Sequence, residues 1–262
     1  MKKMLLTVVM GAVAGLVVAQ EPLIIQEQVD VEMFGEIGLF SAYVFRGQIF
    51  DDSNLKPELT VTKGPVSLNI LGIYNLDGKD GREDNDLTET DFTLSYRIPD
   101  NTDDFDVDVG IIKYTFNHVD GSVLDSDTEE LFVKAVFHNI ILMPEVALYK
   151  DMDANKGWYA SLALAHPLEI SEAMTLEAGA SIGLADGGYN KANYSTQAKT
   201  VSGGGVNDYN VSLKASYVVT DDITVGALVQ YTLLDDKIDS GARKNYGADN
   251  ALWGGINLSY TF

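Results

Sequence analysis

The chain predicts an all-β fold, a transmembrane antiparallel up-and-down β-barrel of about 12 strands. Three observations carry that prediction. Its last stretch, residues 250–262, alternates Leu252, Ile256, Leu258, Tyr260 and Phe262 against Asn257, Ser259 and Thr261, the period-two pattern of a strand with unlike surroundings on its two faces. Segments of the same kind recur along the chain. The connections between them are alternately long and short, the asymmetry expected of outer-membrane barrels. A chain ending inside a strand needs that strand paired, and closure onto the first strand would remove both sheet edges. The ending, apolar at every second position with a terminal Phe262, resembles the carboxy-terminal strand of bacterial outer-membrane barrels. That resemblance implies lipid of the outer membrane as one partner and the outer-membrane assembly machinery, reading this strand, as another.

Residues 1–19 read as a secretory signal, with Lys2 and Lys3, an apolar run, and Val17-Val18-Ala19 as a small-residue cleavage site. The run is short for a membrane span and a polar stretch follows it. Residues 20–35 are expected as a periplasmic N-terminal lead, and residues 36–262 as the barrel, in one domain. The formal charge is −21, and loss of the signal removes two lysines and no acid. Such a balance excludes nucleic acid, which needs basic patches. Cysteine is absent, so neither lipid attachment at a processed Cys nor a disulfide framework applies.

Twelve strands are expected in order. The first, 36–46, puts Ile37, Leu39, Tyr43 and Phe45 on one face; the second, 55–62, sets Lys56 and Glu58 against Leu55 and Leu59. A Lys63-Gly64-Pro65 turn leads to the third, 66–74. The fourth alternates Phe92, Leu94 and Tyr96 against Asp91, Thr93, Ser95 and Arg97. In the fifth, 105–116, the phase is lost at Ile111-Ile112, predicting a bulge. The sixth carries Glu130 and Lys134 opposite Leu131 and Val133. A seventh over 140–149 contains Pro144, an awkward residue for a strand. The eighth covers 158–165. Clean alternation returns in the ninth, with Glu177 on its polar face, the tenth, with Lys214, the eleventh, 223–232, and the twelfth, already described.

Aromatic residues bunch near strand ends: Tyr43, Phe45, Tyr74, Trp158, Tyr209 and Tyr231 toward the long loops, and Tyr96, Phe105, Phe137, Tyr217 and Phe262 toward the short turns. Two interfacial girdles are the simplest account. The same alternation would suit a soluble sandwich or lipocalin-like barrel with its apolar face inward. Twelve strands, however, would enclose more space than Ala178, Ala180 and Ala215 could fill.

Ser41-Ala42-Tyr43-Val44-Phe45-Arg46-Gly47, with Pro57 in the next strand, resembles the Ser-x-Tyr-x-Phe-Arg-Gly signature of the TorF family of outer-membrane porins. Tyr149-Lys150-Asp151 with Gly157-Trp158-Tyr159 is similar to a second stretch of that family. The resemblance implies a barrel in the bacterial outer membrane and a passive pore, with no substrate named.

Charged residues on the polar face are candidate pore-lining groups: Arg46, Lys56, Glu58, Asp91, Arg97, Asp106, Asp108, Glu130, Lys134, Glu177 and Lys214. Short-turn registers would set Arg97 across from Asp106 and Asp108 diagonal to Lys134, a ladder of mixed sign, with Arg46, Lys56 and Glu58 gathered nearer the loops. Bulky inward Phe40, Phe132 and Trp253 point to a narrow lumen. Small solutes or ions are the expected cargo, passing by passive diffusion. The mixed sign of the lumen leaves ion preference open, while the acidic mouth would modestly favour cations at low salt. A structural or surface-interaction barrel with acidic loops and no conductance is the alternative.

No cofactor, metal or catalytic residue is expected. Asp151-Met152-Asp153-Ala154-Asn155-Lys156-Gly157 resembles the start of a calcium loop, yet its Gly falls one place late and Leu162 stands where a bidentate Glu belongs. Enzymatic barrels need a nucleophile and base at one rim; of His118, His138 and His166, only His118, near Asp120 and Asp125, sits in a loop, and no flanking pattern supports it.

Overall fold

The computed structural model describes residues 30–77, 86–99, 104–117, 127–195, 200–238 and 250–262. The expected signal, most of the lead, His118 with Asp120 and Asp125, and most of the acidic 75–87 loop lie outside them. Twelve antiparallel strands close one barrel: β1 (Val31–Phe40), β4 (Asn54–Lys63), β5 (Val66–Asn75), β6 (Asp86–Arg97), β7 (Phe105–Phe116), β8 (Thr128–Phe137), β9 (Glu145–Asp151), β10 (Trp158–Ser171), β11 (Met174–Ala185), β12 (Gly205–Thr220), β13 (Ile223–Leu234) and β14 (Asn250–Thr261). The seam is β1 against β14, with Phe34 opposite Thr261 and Phe40 opposite Gly255. Two further strands, β2 (Tyr43–Phe45) and β3 (Gln48–Asp51), form a separate hairpin.

The apolar side of the wall points outward. Leu39, Leu68, Leu94, Val133, Leu164, Val211, Val229 and Ile256 are all exposed, a band far larger than the apolar patches of a soluble monomer. A packed interior of the sandwich kind is thereby ruled out. Trp158, Tyr209 and Tyr231 ring one end of the band, and Tyr96, Phe105, Tyr217 and Phe262 the other. The fold is a transmembrane β-barrel.

Four expectations change. The first strand begins at Val31 and stops at Phe40: Ser41 bonds across to Gly254 through its backbone N–H (2.8 Å) and its hydroxyl (3.0 Å), and the chain then leaves the wall. Tyr43 and Phe45 therefore lie inside the barrel and belong to no girdle. No bulge interrupts β7, whose pairing with both neighbours runs regularly through Ile111 and Ile112; Ile112 breaks the hydropathy pattern because it is an apolar residue facing the lumen. Residues 140–143 form a turn, with Ile141 77% exposed and Met143 at φ 35°, and β9 starts after Pro144. Lastly, β10 continues past the expected 165 through Pro167 to Ser171.

Glycines face the largest inward rings. A Cβ on Gly110 would strike the Phe132 ring, and one on Gly255 the Phe40 ring, so both rings lie flat across a neighbouring strand and narrow the bore.

Candidate functional site

A hairpin turned into the lumen builds the site. Its two-residue loop is Arg46-Gly47, at φ 48° and 84°, the double positive φ of the turn that suits the twist of a tight β-hairpin. Gly47 is needed twice over, for its φ and because a Cβ there would sit 2.5 Å from Leu234 Cδ2 and 2.8 Å from Asp208 Cβ. Arg46 accepts the less favourable conformation, and its surroundings hold it there.

The guanidinium makes a fork-on-fork pair with Glu130 of β8, both bonds 2.7 Å, the two side chains 6% and 5% exposed. Rings surround the rest of it: Tyr159 at 4.4 Å, Tyr149 at 4.5 Å, Phe45 at 4.7 Å and Tyr189 at 5.6 Å from their centroids. Such contacts contribute from about 0.5 kcal/mol when exposed to about 2 kcal/mol when desolvated. Tyr114 donates to the same Glu130 carboxylate (3.0 Å), and Tyr194 donates to the Arg46 carbonyl (2.8 Å). Burial alone would lower the guanidinium's pKa; Tyr189 and Glu130 outweigh it and hold it well above the ordinary value.

Tyr189 and Tyr194 come from α1 (Gly187–Tyr194), in the loop after β11. Asp186 caps it, accepting from Tyr189 N (2.7 Å), and Gly157 lets the 152–157 loop touch the Tyr189 backbone, where a Cβ would collide. Tyr159, Ala185, Tyr189, Tyr194, Val201, Leu234 and Ile238 make a buried cluster at the loop end. Burial pushes the Tyr189 hydroxyl up to about 12, against the pull of Arg46, and raises Tyr194 and Tyr43 as well.

Beneath this plug the lumen opens. A space of about 290 Å³ lies under Arg46, lined by Phe45, Tyr114, Tyr149, Tyr159, Asp208 and Gln230. It shares Asn210 and Gln230 with a second, of about 400 Å³, that reaches Glu145, Glu177, Lys214 and His138 near the turn end. Tyr159 donates to Asp208 (2.9 Å), and Asn210, Gln230 and Thr232 bond one another. The path is polar.

The expected lining residues separate into groups. Arg46 leaves Lys56 and Glu58 and joins Glu130. Lys56 places its ammonium over Tyr43 (4.2 Å) and Phe40 (5.3 Å), Glu58 accepts from Asn69 (2.6 Å), and Asp91 is buried beside Glu89. Arg97 stands opposite Asp108, bonded at 2.9 and 3.1 Å, and reaches Asp106 at 3.1 Å; Lys134 is directly across from Asp108. Both registers differ from the expected ones, because Ile98 N bonds Val107 O and so brings Arg97 opposite Asp108. Glu177 pairs with Lys214 (2.9 Å).

Asp151 turns out to organise a loop. Its Oδ1 accepts from the backbone N–H groups of Asp153, Asn155 and Lys156, and its Oδ2 from Thr128, an arrangement that spends on N–H donors the oxygens a calcium ion would need. His138 contacts Asp106 (3.2 Å), and His166 the Ile141 carbonyl (2.9 Å).

Reading by sequence missed Tyr114, Tyr149, Tyr159, Tyr189, Tyr194, Glu89 and Asp208. The signal available was the pair of family-like patches: Ser41–Gly47 supplies the hairpin tip, and Tyr149 and Tyr159, directly paired across β9 and β10, supply two of its rings. The patches meet in space.

A family model described as MltA-interacting protein MipA matches residues 35–262. Curated proteins give no match. Among solved structures, the NanC porin is similar at TM-score 0.50 and 13% identity, over 89% of this chain and 99% of that one. The COG4313 outer membrane channel from Pseudomonas putida F1 is similar at TM-score 0.50 and 8% identity, over 88% and 95%. These two likenesses bear on the fold; the TorF likeness of Ser41–Gly47 stays a resemblance.

Proposed function

The chain belongs to the MipA family of bacterial outer-membrane barrels, and on that premise we propose that it is a narrow channel for passive diffusion of small hydrophilic solutes, constricted by its own hairpin. The observation that carries this reading is the pair of cavities under Arg46, which share Asn210 and Gln230 in their linings and present Asp208, Glu145, Glu177 and Lys214, inside a wall whose apolar side faces lipid. A polar interior is stable only if it holds water, and water-filled lumens conduct. The TorF-like signature supports the same reading. Catalysis forms no part of it.

The test is planar-bilayer recording of the refolded mature protein. Small discrete steps are expected; their absence, both in this protein and in variants that free the hairpin, would overturn the proposal.

A second reading has its own support. The family model's name, MltA-interacting protein, describes proteins that engage a partner, and the hairpin with α1 fills the loop end of the lumen. In that case the barrel is a platform, MltA co-purifies with the detergent-extracted protein, and no conductance is seen.

A further inference from the structure

We infer that the lumen passes cations and cationic solutes in preference to anions, and that carboxylates on the wall formed by β1, β4 and β6 make the choice. The inference rests on the channel reading above and names the class of solute. Glu36 and Glu58 stand directly opposite each other across β1 and β4. Each accepts a hydrogen bond from one amide, Asn257 and Asn69 respectively, both at 2.6 Å. Like charges placed opposite across a ladder destabilise it, so a neutralising charge is wanted, and neither carboxylate has an ion pair within 4.0 Å among the described residues. Toward the loops, Asp91 lies beside Glu89 on β6. Asp91 is only 8% exposed, and its inward Oδ1 accepts no hydrogen bond. Asp91 and Glu89 share this wall with Glu58 and Lys56, so its carboxylates outnumber the base set among them.

The lumen's fixed cations are already engaged. Arg46 is held by Glu130, Arg97 by Asp106 and Asp108, and Lys214 by Glu177. Lys134 sits across from Asp108. Lys56, a base on the acidic wall, leans on two aromatic rings and is already shared among Glu58, Glu89 and Asp91. An anion entering therefore meets carboxylates with few guanidinium or ammonium donors to spare, whereas a cation meets oxygens. Fixed charge of one sign on the wall of a narrow, low-dielectric cleft concentrates counter-ions, and lines of acidic side chains are how pores select cations.

The experiment is the reversal potential of the refolded barrel in a planar bilayer under a potassium chloride gradient. Potassium should be favoured over chloride several-fold, with the preference shrinking as salt rises. The paired substitution Glu36→Gln with Glu58→Gln should move the reversal potential toward zero. Removing a like-charge repulsion, it should also fold; Asp91→Asn is the second variant and should shift the potential in the same sense. Discrete conductance with no cation preference, or a preference untouched by both variants, would overturn the inference and leave the channel standing. Complete absence of conductance would overturn the channel itself.

Discussion

Replacing Glu130 with alanine should release the hairpin from the lumen wall while the barrel stays closed. The carboxylate takes two 2.7 Å bonds from Arg46 and one 3.0 Å bond from Tyr114, and both members of the ion pair are nearly inaccessible. Removing one partner of a buried pair costs about 3–5 kcal/mol, because the remaining charge is stranded. The rings over the guanidinium persist and keep part of the docking energy. With every 1.4 kcal/mol worth a factor of ten, the ratio of docked to undocked hairpin should fall by roughly two to three orders of magnitude. Strand pairing contributes nothing to this loss, since Glu130 keeps its place in the β7–β8–β9 ladder as alanine. The assay is single-channel conductance in planar bilayers, with heat-modifiable gel migration as the check on folding. Larger or more frequent open steps are expected in Glu130→Ala. The double substitution Arg46→Met with Glu130→Leu should return the closed behaviour, because an apolar pair of similar size commonly replaces a buried ion pair at little cost. A folded Glu130→Ala barrel with native conductance would refute the assignment of the hairpin as the constriction.

Gly47→Val should act in the same direction by a different route: its φ of 84° and the 2.5 Å approach to Leu234 leave no room for a branched side chain, and proteolysis of the freed hairpin would report it. Tyr159→Phe strips a hydrogen bond from buried Asp208, which keeps that of Asn210, and should lower the thermal midpoint by an amount matching about 1–3 kcal/mol. Raising the pH should also undock α1. Tyr189 is near 12 in the fold against about 10 in an unfolded chain, so its contribution is intact below pH 10 and lost as pH climbs through 12. A spectroscopic titration should find a late-ionising class among the 13 tyrosines, and a single transition near 10 would contradict it. Deleting Phe262, whose N–H bonds Met33 O at the seam, should abolish recovery of the protein in outer-membrane fractions.

Period two made the wall legible. Where both faces of a strand meet unlike media, as in β6, β12 and β14, the side-chain pattern gives span, phase and orientation together. It fails where the lumen is not simply polar: Ile112 faces inward without being hydrophilic, and its neighbour Ile111 faces lipid, so a straight strand resembles a bulged one. It fails again at residues 41–53, where Tyr43 and Phe45 continue the alternation of Ile37 and Leu39 although the chain has left the wall. Nothing in the period marks that departure. The mark is chemical, a Ser that bonds across to Gly254 and an Arg-Gly pair fit for a tight turn. Register needed three dimensions as well, since Arg97 stands across from Asp108 rather than Asp106 while its guanidinium reaches both.

The wall and the plug are held by different forces, and this separates their failures. Each strand is paired on both sides by backbone hydrogen bonds that no side-chain substitution removes, and its outer face is set by lipid. No single side chain on the wall should therefore govern closure. Among the described residues the plug has a three-rung hairpin and an eight-residue helix of its own. It is docked by a few groups of high individual worth: one ion pair, a ring cage, and hydroxyls from Tyr114 and Tyr194. Losing any one of these removes a large fraction of the docking energy and almost none of the barrel's. Variants of the plug should thus change permeation in a protein that still assembles. Variants that disturb the seam's backbone, such as a Cβ at Gly255 against the Leu39 carbonyl or loss of Phe262 and its N–H bond to Met33 O, should change assembly and yield no altered channel to record.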